Sequence, residues 1–324
     1  MRLFERGEQT KPKHEVTPHV PAFLNPLPKG DPQSRLTFAK WLVAPDSPTA
    51  ARTLVNRVWQ SYFGIGLLET PADFGLQSPR PSHPELLDWL AVELMENDWN
   101  MKHIHRLITS SATYQQDSKH KSILREKDAK NRLLARGPRL RVPAETIRDI
   151  QLTTSGLINL ELGGRCVFPP APDFLFQKPV SYGPKIWHTE MDSQRYRRAL
   201  YTFRFRSVPY PMLAAFDAAT GDAACVRRTT STTPLQSLVT LNESMSVEAA
   251  VALGSRPPNK DELQILQTLF DQQKTAITPE SATELITTYK PLPLDLKTHN
   301  PVHLAAATAV AQTLLNLDET MTKN

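Results

Sequence analysis

The stretch that decides the fold runs from Arg52 to Tyr114 and reads RTLVNRVWQSYFGIGLLETPADFGLQSPRPSHPELLDWLAVELMENDWNMKHIHRLITSSATY. Three helical patterns follow one another in it. Leu54, Val55, Val58 and Tyr62 share one stripe of a helix that starts near Thr49 and stops at Gly64 and Gly66, residues free to take the positive φ that ends helices. Leu86, Leu87, Leu90 and Leu94 form the buried stripe of the next. Ser82-His83-Pro84-Glu85 at its start has capping-box spacing, in which the serine hydroxyl and the glutamate carboxylate satisfy each other's backbone N–H. NDWN ends that helix, Asn100 caps the third, and Ile104, Leu107 and Ile108 carry its apolar face.

Working outward, residues 1–33 form an extended lead-in interrupted by prolines. A helix from about Ser34 has Leu36, Ala39, Trp41 and Leu42 as its apolar residues. On the other side, Ser118 to Asn131 is charged and weakly periodic, an exposed connection or a solvated helix. Arg139-Leu-Arg141-Val alternates like a short strand, and Pro143 opens a helix whose apolar pattern, through Ile147, Ile150, Leu152 and Leu157, runs toward the turn at Gly163-Gly164. Residues 164–190 are irregular, with Phe168, Phe174, Phe176, Tyr182 and Trp187 among their prolines. A helix near 192–203 precedes another interrupted loop. Thr233-Pro234-Leu235-Gln236 then repeats the capping-box logic and opens a helix through Leu238, Leu241 and Met245. Helical patterns at 260–275, 279–289 and 301–317 complete the chain, the last rich enough in alanine for close approach by a neighbour.

The expected class is therefore mainly α, a multi-helix domain with long ordered Pro-rich loops and at most short strands. The expected parts are the lead-in 1–33, a core domain 34–255, and a C-terminal helical segment 256–324 packing on that core. The 324 residues suffice for a sizeable core, and 40% hydrophobic with 22% charged residues is ordinary for a soluble protein. With 28 Pro against 12 Gly, fixed turns and helix starts outnumber flexible ones. No apolar run approaches the ~20 residues of a membrane helix, and the beginning MRLFERGEQTKPKHE has no signal-peptide h-region.

A net charge of +5 is compatible with anionic partners, but its spread along the chain fits a solvated surface better than a nucleic-acid footprint. Cys166 and Cys225 fit neither a CxxC motif nor metal-ligand spacing; they either pair or sit as buried thiols. His103 and His105, two apart on a helix, point to different faces and cannot share a metal. No metal and no cofactor is read from the sequence. GxSxG, GxGxxG and GxxxxGK[ST] are all missing, and with them the common serine-hydrolase and nucleotide chemistries.

Two sets of side chains are candidates for chemistry. Asp73, His83, Glu85 and Asp217, with Asp88 and Asp222 nearby in sequence, supply the imidazole and carboxylates of acid and base work, although capping and helix-dipole preference already account for Glu85 and Asp88. Arg195, Arg198, Arg204, Arg206, Arg227 and Arg228, with Arg197, are interleaved with Tyr196, Tyr201, Phe203 and Phe205. Arginine forks bind carboxylate, sulfate or phosphate, and aromatic faces bind sugars or bases. The competing role for these arginines is structural: bonding loop carbonyls and pairing with Asp217, Asp222 or Glu190. Asn56 and Arg57, off the apolar stripe of their helix, are placed to fix the TPADFG loop.

Several segments in order resemble the Planctomycete-type family called domain of unknown function 1553: RLTFAKWLVAPDSPTAARTLVNRVWQSYFGIGLLETPADFG, PSHPELLDWLAVEL, HRLITSSATYQQ, NRLLARGPRLRVPAETIRD, YRRALYTFRFRSVPYPMLAAFDA, VRRTTSTTPLQSLVTLN and the terminal LLNLDET. The resemblance implies a C-terminal domain of larger proteins bearing cytochrome c-like regions, and with them an exported or cell-envelope setting. It implies no reaction, cofactor or catalytic residue. The chain carries no cytochrome-like region, and the stretch from Val251 to Pro257 is short for the family, as in a truncated or split gene product. The functional expectation is an auxiliary binding or interaction module of an envelope system, with a cytochrome-like or envelope protein, or an anionic polymer, as partner. The alternatives are a polysaccharide-active enzyme using paired carboxylates and a nucleic-acid-binding protein. Whether the chain is an enzyme stays open at this point.

Overall fold

The structure, a computed structural model, describes residues 2–28, 30, 32, 34–47, 49–119, 126–176, 185–254, 260–291 and 298–323. It is mainly α, with two short antiparallel strand pairs, and it divides into two compact units, Met1–Pro138 and Arg139–Asn324. The sequence boundary near 255 falls outside the described residues, as do Tyr182 and the middle of the charged stretch after Ser118.

In the first unit the lead-in folds as a hairpin of β1 (Arg2–Phe4) and β2 (Pro12–Glu15), exposed throughout. Helix α1 (Arg35–Leu42) is capped by Ser34, whose hydroxyl accepts from the Thr37 N–H. Its inward face is not the expected one. Thr37 and Trp41 are buried, with Thr37 Oγ1 donating to the Pro32 carbonyl at 2.6 Å and Trp41 Nε1 to that of Asn25 at 2.8 Å, while Leu36 and Ala39 face solvent. The described part of the lead-in after β2 has no ladder for its carbonyls, so α1 gives its polar donors to those of Asn25 and Pro32.

Helices α2 (Ala50–Phe63), α3 (Pro84–Glu96) and α4 (Met101–Ser110) enclose the core read from the opening stretch: Val55, Val58, Trp59 and Phe63 against Leu87, Leu90, Leu94, Ile104 and Ile108. Each such aliphatic side chain gains about 1.5–3 kcal/mol on burial. Gly64 ends α2 at φ 79°. The fully buried Asn56 then holds the turn, accepting from Leu68 N at 2.9 Å and donating to Leu68 O at 3.0 Å; it fixes Gly66–Leu68 rather than the TPADFG segment expected, and Arg57 stays exposed. A Cβ on Gly66 would lie 2.6 Å from the Asn56 side chain.

The capping box expected at Ser82 does not form. Pro84 takes the first helical position, His83 becomes the cap residue without a side-chain bond, and the Ser82 N–H, the group Glu85 would have reached, donates instead to the Leu67 carbonyl at 2.8 Å. Asn100 does cap α4, accepting from Lys102 and His103.

The second unit begins with β3 (Leu140–Arg141), paired with the chain's last strand, β4 (Thr322–Lys323). Its helices are α5 (Ala144–Thr154), α6 (Pro211–Ala215), α7 (Pro234–Asn242), α8 (Ser244–Gly254), α9 (Lys260–Ala276), α10 (Pro279–Thr288), α11 (Pro301–Leu315) and α12 (Asp318–Met321). Helix α8 is the axle: Met245 through Ala252 are all buried, and α5, α7 and α11 pack around it. The alanines of α11 permit the close approach. A Cβ on Gly254 would stand 2.9 Å from backbone atoms of Ala307 and Thr308.

Two further expectations are corrected here. The segment 192–203 is not a helix but two 3-10 turns, Ser193–Tyr196 and Ala199–Tyr201, with Arg197 and Thr202 bridged in parallel to Asn159 and Val167. The helix opened by Thr233 has the expected capping box but ends at Asn242. Glu243 is extended, and Met245 belongs to the next helix.

Candidate functional site

The irregular segments between Leu157 and Ser231 have few backbone ladders, so their carbonyls need other donors. Arginines supply them. Arg148, on α5 and about 1% exposed, donates to the carbonyls of Arg197 at 2.7 Å and Arg195 at 2.8 Å. Arg197, equally buried, donates to the carbonyls of Arg165, Glu161 and Gly163, with its guanidinium 3.7 Å from the centre of the Tyr201 ring. Arg204 donates to Ala219 O.

Most of the remaining candidate arginines are paired with carboxylates. Arg195 pairs with Glu248, and Arg198 lies 3.1 Å from Asp149, which also accepts from Ala199 N. Arg228 forks onto Glu145 at 2.6 and 3.0 Å, with Arg204 3.7 Å from the same carboxylate. Burial opposes ionisation of Glu145, but Arg228, a backbone hydrogen bond and Arg204 together outweigh it and the carboxyl ends below its ordinary value. Arg206 and Arg227 are exposed. The arginines therefore act largely as internal fasteners of the loops. Their carboxylate partners are Glu248, Asp149 and Glu145, in place of the expected Asp217, Asp222 or Glu190.

The candidate carboxylates are equally occupied. Asp217, at φ 62°, accepts from Arg141 at 2.6 Å and from both the N–H and hydroxyl of Ser231. Burial raises its pKa, yet these donors together hold it below the ordinary value. Asp222 is exposed. In the first unit Asp73 closes a turn on Gly75 N, Asp88 pairs with Arg52 at 2.6 Å, Glu85 is exposed, and His83 Nδ1 lies 3.0 Å from Ser82 Oγ. His103 and His105 do face apart, one on Glu93 at 3.0 Å and the other on the Tyr62 hydroxyl at 2.8 Å. Both cysteines are exposed, not buried thiols. Among the described residues no three His, Cys, Asp or Glu side chains gather as metal ligands, and no helix is long and apolar enough to cross a membrane.

Behind the loops lies a polar cluster that the sequence reading missed. Glu243, in the break between α7 and α8, accepts from Tyr210 Oη at 2.6 Å and from Ser246 N at 3.0 Å. Glu248, one turn into α8, accepts from Tyr196 Oη at 2.9 Å and from Arg195. Burial pushes the Glu243 carboxyl up, and pushes Glu248 up to about 7 against the pull of Arg195 and Tyr196, with Glu243 adding repulsion. The available signal was Glu248 itself, a lone charge within the apolar run Met245–Leu253.

Two kinds of surface result. The fastened loops hold large apolar side chains in water, among them Leu162 at 79% and Leu200 at 72% exposure, together with Leu160, Phe174, Ile186 and Met191. Beneath them Phe168, Phe176, Trp187, Phe203, Phe205 and Tyr210 interlock, with ring centroids 4.8–6.3 Å apart. Helix α7 has the second. Gln236 and Thr240 point inward, where Gln236 joins Arg141, Ala215 and Ser231, and Thr240 joins Asn316 at 2.9 Å. Leu235, Leu238 and Leu241 point outward.

No curated protein and no solved structure matches the chain. The model of the family described as "Protein of unknown function (DUF1553)", PSD1, matches residues 34–289, and the chain belongs to that family.

Proposed function

We propose that this chain is a non-catalytic interaction module whose pinned loops bind a protein partner in a cell-envelope, cytochrome-associated system. One observation carries the reading: loops fastened from behind by Arg148 and Arg197 hold Leu160, Leu162 and Leu200 in solvent. A rigid loop that exposes large apolar side chains loses little entropy when a partner covers them, and such exposure marks interaction surfaces. The exposed Arg206 adds a cationic element for a partner's carboxylates or an anionic polymer. A polysaccharide-active enzyme using Asp217 fits less well, because Arg141 and Ser231 already occupy that carboxylate.

The test is calorimetric titration of the chain with a purified c-type cytochrome-like protein from the same envelope system. Binding that falls at least tenfold in Leu162→Asp/Leu200→Asp, with an unchanged thermal midpoint, supports the reading. Equal binding by wild type and variant, or none by either, overturns it.

A further inference from the structure

The segment 193–201 is seated on α8 through a single carboxylate. Tyr196 is buried among Leu152, Leu157, Met245 and Ala252, and its hydroxyl donates to Glu248 Oε2 at 2.9 Å, while Arg195 pairs with Oε1. Glu248 is only 4% exposed, so these two side chains help to cover it. The loops in turn ride on this segment. The Tyr196 carbonyl accepts from the Asn159 N–H at 3.0 Å, and that of Tyr201 from the Val167 N–H at 2.8 Å. Arg197 reaches back to the carbonyls of Glu161, Gly163 and Arg165. Leu160, Leu162 and Leu200 are thus held by a segment whose fit to α8 passes through Glu248.

The charges facing Glu248 are few. Helix α5 brings Arg148, whose fork is taken by the carbonyls of Arg195 and Arg197, and the neutral Gln151, which accepts from Ser246. The break before α8 brings a second carboxylate, Glu243, bonded to Tyr210 and Ser246. Helix α7 turns Gln236 and Thr240 inward, α10 turns Ile286, and α11 turns Leu304, Ala305, Thr308 and Ala311; none of these is ionisable. Among the described residues Arg195 is the cation bonded to Glu248, and Glu243 stands against it as a like charge. An ionised Glu248 is costly while the segment covers it and is hydrated at little cost once the segment lifts; a protonated one is cheap to bury.

We infer that Glu248 is a proton-operated latch for the loops: with its carboxyl protonated the segment 193–201 stays docked on α8, and with the proton gone the segment lifts and frees the loops it carries. Burial raises the docked carboxyl to about 7, so the docked state binds the proton more tightly than the lifted one. Docking is therefore at full strength below the ordinary 4.5 and is lost as pH rises through about 7. These are the loops proposed above to bind a partner, and on that reading the contact weakens with the latch. The latch itself is measured without a partner.

The experiment is native-state hydrogen exchange of the full chain at about pH 5.5 and about pH 8.5, corrected for intrinsic exchange. The Asn159 and Val167 amides should lose about thirtyfold in protection, the ratio set by a carboxyl near 7 when docked and 4.5 when lifted. Amides of Val251 in α8 and Thr308 in α11 should stay better protected than the loops at both pH values. Glu248→Gln keeps the shape of the carboxyl but cannot ionise, and should abolish the loss. Arg195→Gln removes the bonded cation, and should deepen the loss and carry it to higher pH. Loop protection that ignores pH in the wild type, a loss that persists in Glu248→Gln, or a loss of unchanged extent in Arg195→Gln overturns the inference. So does equal protection of loop and helix amides at the higher pH, because the unit then unfolds as a whole instead of unlatching. If the loops respond as expected but no partner binds, the latch stands and only the partner reading is lost.

Discussion

Between Ala51 and Ile108 the only buried polar residue is Asn56, and the hydrophobic cluster of α2–α4 is aliphatic and aromatic; Thr37, Ser47, Asp128 and Arg136, also buried in Met1–Pro138, lie outside that stretch. Arg139–Asn324 buries Arg148, Gln151, Arg197, Gln236, Thr240, Ser246, Glu248 and Thr308 among several smaller apolar clusters. The difference follows from the backbone. Helices satisfy their own N–H and C=O groups, so a short-looped helical unit can fill its interior with hydrocarbon. A unit with long irregular loops has carbonyls left over and must send side-chain donors to them. The α2–α4 interior is held by area, the second unit's by partners. An area-held core tolerates changes of shape; a partner-held one fails when a single donor is lost.

The largest expected effect tests that contrast directly. Arg148→Met keeps length and adds apolar character but strands two buried carbonyls, and should destabilise the second unit by about 3 kcal/mol or more. The parallel swap in the first unit, Leu90→Met, should cost less than about 1.5 kcal/mol. Hydrogen exchange resolved by unit measures both, and equal costs would break the comparison.

The next effect is pH dependence. Glu248 has a folded pKa of about 7 against an ordinary 4.5, raised by burial. Its stabilising contribution is fully present below the ordinary value and is lost as pH rises through about 7, so the second unit should be less stable at about pH 8 than at about pH 5. Glu248→Gln should flatten that slope; an unchanged slope would place the titration elsewhere.

Gly254→Ala comes third, at about 1–3 kcal/mol, because the new Cβ would meet the α11 backbone at 2.9 Å and force α8 and α11 apart. The smallest pair compares the two capping motifs. Thr233→Ala removes a formed capping box and should cost about 1 kcal/mol. Ser82→Ala removes a long 3.4 Å hydroxyl contact to Leu67 O and a local 3.0 Å contact with the adjacent His83 ring, and should cost about a few tenths of a kcal/mol. Denaturant midpoints decide between them, and the reverse order would mean that the box at Ser82 forms after all.

Legibility divided along the same line. Leu87, Leu90, Leu94, Ile104 and Ile108 were readable because their period of 3.6 is local and their partners lie a few turns away in sequence. The capping box at Thr233 was readable and that at Ser82 misleading, although the two share one spacing. The difference is the Leu67 carbonyl, fifteen residues from Ser82, which takes its N–H. The arginines between Arg195 and Arg228 were visible as a group, but not their acceptors, because Glu161, Arg165, Asp149 and Glu145 lie tens of residues upstream.

The sequence by itself determined that the chain is mainly helical, where most helices begin and end, and the family to which it belongs. These properties rest on periodicity, prolines and caps, interactions that span one or two turns. Tertiary structure alone decided which face of α7 looks inward, that the helix after Thr233 breaks at Glu243, and that the conspicuous arginines hold loops together from within. Each depends on a hydrogen-bond partner brought from far along the chain. A buried acceptor without a donor costs more than a leucine left in water, which is why Gln236 and Thr240 face the interior and the leucines of α7 face out.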